Sequence, residues 1–330
     1  MKFNSERIRL VICLSILFII MLISPVRASN FIQIEPKLDV ELPTVKNQPE
    51  TEKSPVLIFR SDRNGSLDIY MIPLNQSNST PNIMTHLTDN IIQLTDNNYD
   101  NKWPVLSPDG SKLAFVSNQS GKDYIYIMNI DGSNQHRLTD QIEKNENFPS
   151  WSRTGSKIVF SSGGRLAFAN SDGTDYQQTN IFSSYACFSQ DGNKILYLGI
   201  QYSNIYTVNI NDTTQISQIT DDQSWKTSPC FSPDGNKIAF AANYGEGVQI
   251  YTMNLDGSEL NQITNDQNAA GKGGVKWKSP GKIIYFSYEY PDGNSNCDIY
   301  SIWTDGTNKQ RLTTDSSVDR APDFGYVDFN

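Results

Sequence analysis

Apolar residues in this sequence come in short runs, each ended by a turn signal, and the same order of runs and turns keeps returning. The clearest stretch, from Pro104 to Asp140, reads PVLSPDGSKLAFVSNQSGKDYIYIMNIDGSNQHRLTD. It divides into four runs. The first ends in Ser-Pro-Asp-Gly (107–110), the second is Lys112–Ser117, the third is Tyr124–Ile130 before Asp131-Gly132, and the fourth ends at Leu138-Thr139. These runs are rich in β-branched and aromatic residues and too short for helices, so they predict strands. Asp-Gly between two of them predicts a tight hairpin, because glycine, and Asp to a lesser degree, accepts the positive φ such a turn needs.

The four pieces recur about every 43 residues from residue 55 onward. The second run returns at Val56–Phe59, Ile158–Phe160, Ile195–Tyr197, Ile238–Phe240 and Ile283–Phe286. The third carries Ile-Tyr at 69–70, 125–126, 205–206, 250–251 and 299–300, with Leu166-Ala167 in the third copy. The fourth closes on Leu-Thr or Ile-Thr at 94–95, 138–139, 219–220, 263–264 and 312–313, with Gln178-Thr179 in the third copy. Six copies of four short antiparallel strands predict an all-β fold, a six-bladed β-propeller, because only stacking around an axis buries both faces of such sheets.

The first run is displaced. Its motif, Pro-x-aromatic-Ser, stands at Pro149–Ser152 and Pro229–Ser232 and is weaker at Pro104–Ser107, Ala186–Ser189 and Val275–Lys278. A sixth version, Pro322-Asp-Phe-Gly325, lies at the extreme C-terminus with nothing to follow it, while the copy at 55–95 has no such strand of its own. The C-terminal strand is therefore expected to complete the N-terminal blade and remove an open edge.

Residues 1–28 stand apart from the repeats. Lys2, Arg7 and Arg9 precede an apolar run at Leu10–Ser24, and Val26-Arg27-Ala28 places small residues at the cleavage positions before Ser29. That layout predicts a secretory leader, with an uncleaved anchor as the alternative. Val11-Ile12 ahead of Cys13 rule out a lipoprotein signal. Residues 29–54, rich in Pro, Glu, Lys, Gln and Thr, are expected to form a linker, and residues 55–330 the propeller. Without residues 1–28 the sequence has 23 basic against 35 acidic residues, a formal charge of −12. Such a surface repels phosphate backbones, which excludes nucleic acid as a partner. Cys187, Cys230 and Cys297 remain, an odd and sparse set that is no disulfide framework. Cys187 and Cys230 hold the same motif position in neighbouring copies, so each should face the next blade and stay unbonded. Cys297 is expected in a loop, where it could be reactive.

Ser-Pro-Asp-Gly, Leu-Ala-Phe, Ile-Tyr-x-Met-Asn-x-Asp-Gly and Leu-Thr, in this order, resemble the propeller of TolB-type proteins, over about 275 residues. The resemblance implies the fold and a binding platform for protein partners in the cell envelope. TolB itself carries a sizeable α/β domain ahead of its propeller. Residues 29–54 are too few for one, so those envelope partners do not carry over.

Catalytic chemistry finds little support. No Gly-x-Ser-x-Gly elbow is present, which argues against a peptidase of the kind gated by similar propellers. His86 and His136 sit in unrelated contexts and are expected at the surface, so no metal and no cofactor are expected. The Asp-Gly segments lack the spaced ligands of a calcium loop, and Gly271–Gly274 lacks Walker spacing. Five Asn-x-Ser/Thr triplets, at Asn64, Asn75, Asn78, Asn118 and Asn211, would allow glycosylation of an exported protein, and an Asn-rich sequence also produces such triplets by chance. The tyrosines after Ile in the third runs keep a fixed register, which points to packing between blades.

What varies from copy to copy lies opposite the Asp-Gly turns, in the second-to-third loops and the connections between blades. Tyr99, Trp103, Trp225, Lys226, Tyr244, Lys272, Tyr288, Tyr290 and Arg320 fall there and are the candidate binding residues. The expected function is an exported, monomeric, non-enzymatic module binding a protein or a glycan, with membrane contact only through an uncleaved N-terminal segment. The alternative is a polysaccharide-acting enzyme, a lyase or glycosidase, using the same face. It would need carboxylates converging on the axis, and the first strands offer Asp323.

Overall fold

The computed structural model describes residues 53–74, 90–139, 144–199, 203–266, 271–289 and 296–329, all within a compact unit spanning Thr51–Asn330. The leader and linker expected at residues 1–52 lie outside the described residues. Strands of this protein read as nearly continuous apolar runs because both of their faces are covered. In the strand Ser54–Ser61, Val56 and Ile58 pack with Leu113 and Phe115, while Leu57 and Phe59 pack with Ile284 and Ile299. The described residues form six such cores, one for each interface between neighbouring sheets.

Each of the six sheets has four antiparallel strands. From the axis outward, blade two runs Asn101–Leu106, Lys112–Ser117, Tyr124–Asn129 and His136–Arg137. Blade one is built from both ends of the domain: its innermost strand is Arg320–Val327, paired with Ser54–Ser61 in the register Val56↔Gly325 and Ile58↔Asp323. The displaced sixth motif thus closes the ring as the sequence requires.

The repeated residues each have a structural task. Tyrosine of the Ile-Tyr pair stands directly across from an aromatic on the second strand, with ring centroids 6.0 Å apart for Phe59–Tyr70 and 5.9 Å for Phe240–Tyr251. Such pairs contribute roughly 0.5–1.5 kcal/mol beyond their burial. Blade three has Ala167 at this position, and Tyr176 comes from the following turn to meet Phe160 at 6.2 Å. The closing threonine ties the outer edge to the third strand. Thr95 Oγ1 accepts from the Ile69 N–H (2.9 Å) and donates to Asp68 (2.7 Å), and Thr264 does the same between Ile250 and Gln249. Serine of Ser-Pro-Asp-Gly accepts from the N–H five residues on and donates to its own Asp, as Ser107 does with Lys112 (2.9 Å) and Asp109 (2.6 Å).

Asp-Gly after the third strand also sets the contact between blades. A Cβ on Gly173 would lie 2.1 Å from the Leu138 carbonyl oxygen of the preceding blade, and one on Gly257 would lie 2.5 Å from that of Ile219. Gly121 shares the positive φ but has nothing within 4 Å. Gly121→Ala should therefore lose only the backbone preference, about 1 kcal/mol, whereas Gly173→Ala must also push two blades apart and should lose at least about twice that. Equal losses in thermal denaturation would contradict this contact.

Titration follows from the same turns. Hydroxyl and amide bonds from Ser133, Thr174, Ser258 and Thr307 hold Asp131, Asp172, Asp256 and Asp305 below the usual carboxylate range. Burial instead pushes Asp319 up to about 6, against the pull of Ser61 and Arg63. A carboxyl lowered by folding stabilises the fold above its unfolded value near ~4 and loses that contribution as the pH falls; a raised one gains by protonation between pH ~7 and ~4. The melting temperature should hold or rise from pH ~7 to ~5 and fall below pH ~4. A steady fall from neutral pH would contradict the assignment.

Candidate binding site at the channel mouth

Every innermost strand contains one residue in the left-handed region: Trp103 (φ 53°), Phe148 (57°), Tyr185 (51°), Ser228 (53°), Gly274 (59°) and Ala321 (49°). In each blade this residue falls where the pairing with the second strand slips, as between Lys102 and Val105 or between Thr227 and Cys230. A bulge re-aims its side chain, here toward the axis. Because all six blades share the bulge, it belongs to the fold; what differs is the side chain each blade delivers. Blades two, three and four give rings. Phe148 and Tyr185 stack at 3.9 Å, and Trp103 meets them at 4.9 and 5.8 Å. The other three blades give only Ser228, Gly274 and Ala321, so the ring is filled on one side and open on the other.

An axial cavity of about 70 Å³ is lined by these six residues and by others of the innermost strands, including Val105, Ser150, Cys187, Cys230 and Lys276. Lys276 pairs with Asp323 (3.8 Å), which also accepts the Leu106 N–H (2.7 Å). Burial raises the Asp323 carboxyl, and Lys276 opposes it. Cys187 Sγ lies 3.8 Å from the Pro229 carbonyl and Cys230 Sγ 3.3 Å from that of Val275, so each faces the next blade, and the three described cysteines are free. Burial raises both thiols. Cys297 corrects the sequence expectation. It lies in the third strand of blade six, Asn296–Trp303, paired with Tyr288 and 0% exposed, and burial pushes its thiol far up. The strand simply begins ahead of its Ile-Tyr pair, and so takes in Cys297.

The candidate binding residues lie at the end of the strands opposite the Asp-Gly turns, Tyr290 falling outside the described residues. Trp225 (51% exposed) and Tyr99 (46%) reach solvent, and Tyr244 is exposed beside Tyr251, edge-on at 4.9 Å. Trp103 belongs to the three-ring stack, and Arg320 lies over the Tyr288 ring at 4.5 Å. Lys226 and Lys272 turn inward. Lys226 Nζ donates to Asp222 (2.6 Å) and the Ser224 carbonyl (3.1 Å), and Lys272 Nζ pairs with Asp266 (3.3 Å). They occupy the blade-five and blade-six versions of a position held by Asn101, Glu146, Ser183 and Asp319, all buried and polar, at the start of the inner strands. Phe148, Tyr185 and Arg60 complete the mouth and escaped the sequence reading. Phe148 and Tyr185 share a repeat column with Trp103, so aligning that column would have found them.

Among the described residues, the carboxylates of the inner strands do not converge on the axis. Glu146 joins Asp323 on those strands, but it is turned into the interface between blades two and three, where Thr139 (2.7 Å) and the Ile125 N–H (3.0 Å) bind it. Among the described residues no three His, Cys, Asp or Glu side chains cluster as a metal site, and His136 is exposed. His86 lies outside the described residues.

Fold and mouth together define a six-bladed propeller whose loop end surrounds an axial recess. The family model of the TolB beta propeller domain matches residues 79–198 and 163–326, and the chain belongs to that family. Among solved structures, TolB from Acinetobacter baumannii superposes with a TM-score of 0.65 at 16% identity, over 82% of this chain and 66% of that one. A putative TolB from Agrobacterium tumefaciens gives 0.60 at 19%, over 83% and 98%, and a chain of a nidogen/laminin complex gives 0.63 at 10%, over 82% and 98%. At such identities the likeness is one of fold. No curated protein sequence matches this one.

The inward lysines separate structural from surface roles. Lys226→Ala should cost about 2–3 kcal/mol, less than the ~3–5 of a fully buried pair because Asp222 touches water. Trp225→Ala should cost under about 0.5 kcal/mol. Chemical denaturation of both variants checks the contrast, and similar losses would contradict it.

Proposed function

We propose that this protein is an exported, non-enzymatic binding module that receives a protein partner on the loop end of its propeller. Membership of the TolB propeller family supports a platform role, and the positive, apolar and small-residue order of residues 2–28 supports export. Residues 29–54 then serve as a linker to the propeller at 55–330. Among the described residues no helix is long and apolar enough to cross a membrane.

The observation that carries the proposal is the exposed aromatic set Tyr99, Trp225 and Tyr244 around a recess floored by Trp103, Phe148 and Tyr185. Exposed aromatics on loops of a rigid scaffold are the usual anchors of an interface. The opposite end also exposes apolar side chains, Leu255, Trp303 and Tyr326, but they stand beside uniform turns whose polar groups are satisfied within each turn.

Replacing Tyr99, Trp225 and Tyr244 together by Ala should weaken capture of the native partner from an envelope or culture fraction by at least about tenfold, since each anchor contributes roughly 1–2 kcal/mol. The melting temperature should stay nearly unchanged. Replacing Leu255, Trp303 and Tyr326 should leave capture intact. The reverse pattern would assign the partner to the Asp-Gly end.

A further inference from the structure

Two guanidinium groups at the channel mouth have no counter-ion among the described residues. Arg60 and Arg320 are direct cross-strand partners in blade one, the arrangement in which like charges destabilise a sheet. They are close enough for the charge of Arg60, after burial, to lower the pKa of Arg320. The Nε of each is buried with no hydrogen-bond partner among the described residues. Cys297, Tyr185, Asp100 and Asp62 act on Arg60, and Asp62 also on Arg320, all without an ion pair to either guanidinium among the described residues. Asp62 accepts the Val318 N–H (2.8 Å), and Asp100 lies 3.7 Å from Lys102.

The contrast with Arg63, three residues away, is direct. Arg63 binds Asp319 at 3.0 and 3.1 Å, Asp315 at 3.0 Å and the Ser61 hydroxyl at 3.0 Å. A protein with 36 acidic residues against 27 basic ones has carboxylates to spare. That it satisfies Arg63 and leaves Arg60 and Arg320 without a counter-ion among the described residues points to a place for an anion from outside. Both groups are also held in position: Arg60 lies over Trp103 at 5.4 Å and Arg320 over Tyr288 at 4.5 Å. A planar fork fixed on a ring loses little freedom when it binds.

We propose that Arg60 and Arg320 form an anion site that receives a carboxylate of the protein partner, from an Asp or Glu side chain or from the partner's terminal carboxyl group. The proposal rests on the loop end being the binding surface. A single carboxylate suits the site better than a phosphate, because the protein's net negative charge repels a doubly charged group more strongly. A polypeptide is its expected occupant, because the site lies at the same end of the strands as the exposed Tyr99, Trp225 and Tyr244, the usual anchors of a protein interface.

The test uses the purified full-length protein and small probes: N-acetylglutamate amide, its neutral glutamine analogue, inorganic phosphate and galacturonate. N-acetylglutamate amide should raise the melting temperature and quench Trp103 fluorescence, and the glutamine analogue should do neither. Arg60→Gln and Arg320→Gln should each weaken that binding about tenfold or more, the loss expected for a hydrogen bond to a charged group. Both variants should melt at or above the unsubstituted protein, because each removes an uncompensated charge; a variant that melts lower would mean a structural partner for the arginine and overturn the proposal. A response to phosphate or galacturonate stronger than to the glutamate probe, or no response at all, overturns it too. If partner capture falls in the Tyr99, Trp225 and Tyr244 variant but not in the arginine variants, the carboxylate site fails while the binding surface stands. If neither set alters capture, the binding surface fails as well.

Discussion

A sheet that is apolar on both faces cannot stand alone in water, and every blade of this protein is such a sheet. Val56 and Ile58 need blade two, Leu57 and Phe59 need blade six, and the same demand passes around the ring. The only arrangement that meets it for all six sheets is a closed circle, which explains why the last strand is given to the first blade. Once closed, the six cores hold one another at fixed spacing. The Asp-Gly turns, seated against the carbonyls of the preceding blade, keep that spacing from drifting.

Closure also dictates what can reach the axis. The innermost strands converge there, and the bulge in each one presents a single side chain to the centre. Six positions are thus available, and the chemistry of the recess is a choice of six residues. This protein places three large rings on adjacent blades and three small residues on the rest, so a symmetric scaffold acquires an asymmetric mouth. The charges follow the same asymmetry. Arg60 and Arg320 come from blade one, beside the rings, while Lys276 and Asp323 neutralise each other further along the axis.

The fold was legible in the sequence because its signal is repeated. A turn glycine or an Ile-Tyr pair is weak once and decisive six times, and even the closing strand could be read from the orphan motif at Pro322. The mouth was less legible because exposure is not a periodic property. Lys226 and Lys272 looked like loop residues, and only the register of the inner strands shows that they fill a buried polar position shared by all six blades. Arg60 looked like the end of an apolar strand, and Cys297 like part of an Asn-rich loop. Lys226 and Lys272 find their partners nearby, in Asp222 and Asp266, but Arg60 meets Trp103 and Arg320 across strands that are far apart in the sequence, and no local pattern encodes that proximity.

The pairing Ser54↔Val327 brings the two ends of the propeller side by side, at the same end of the strands as the Asp-Gly turns. The backbone therefore enters and leaves the ring through one doorway. Whatever precedes Ser54 is therefore joined to the propeller on its turn side, at the end of the strands opposite the recess.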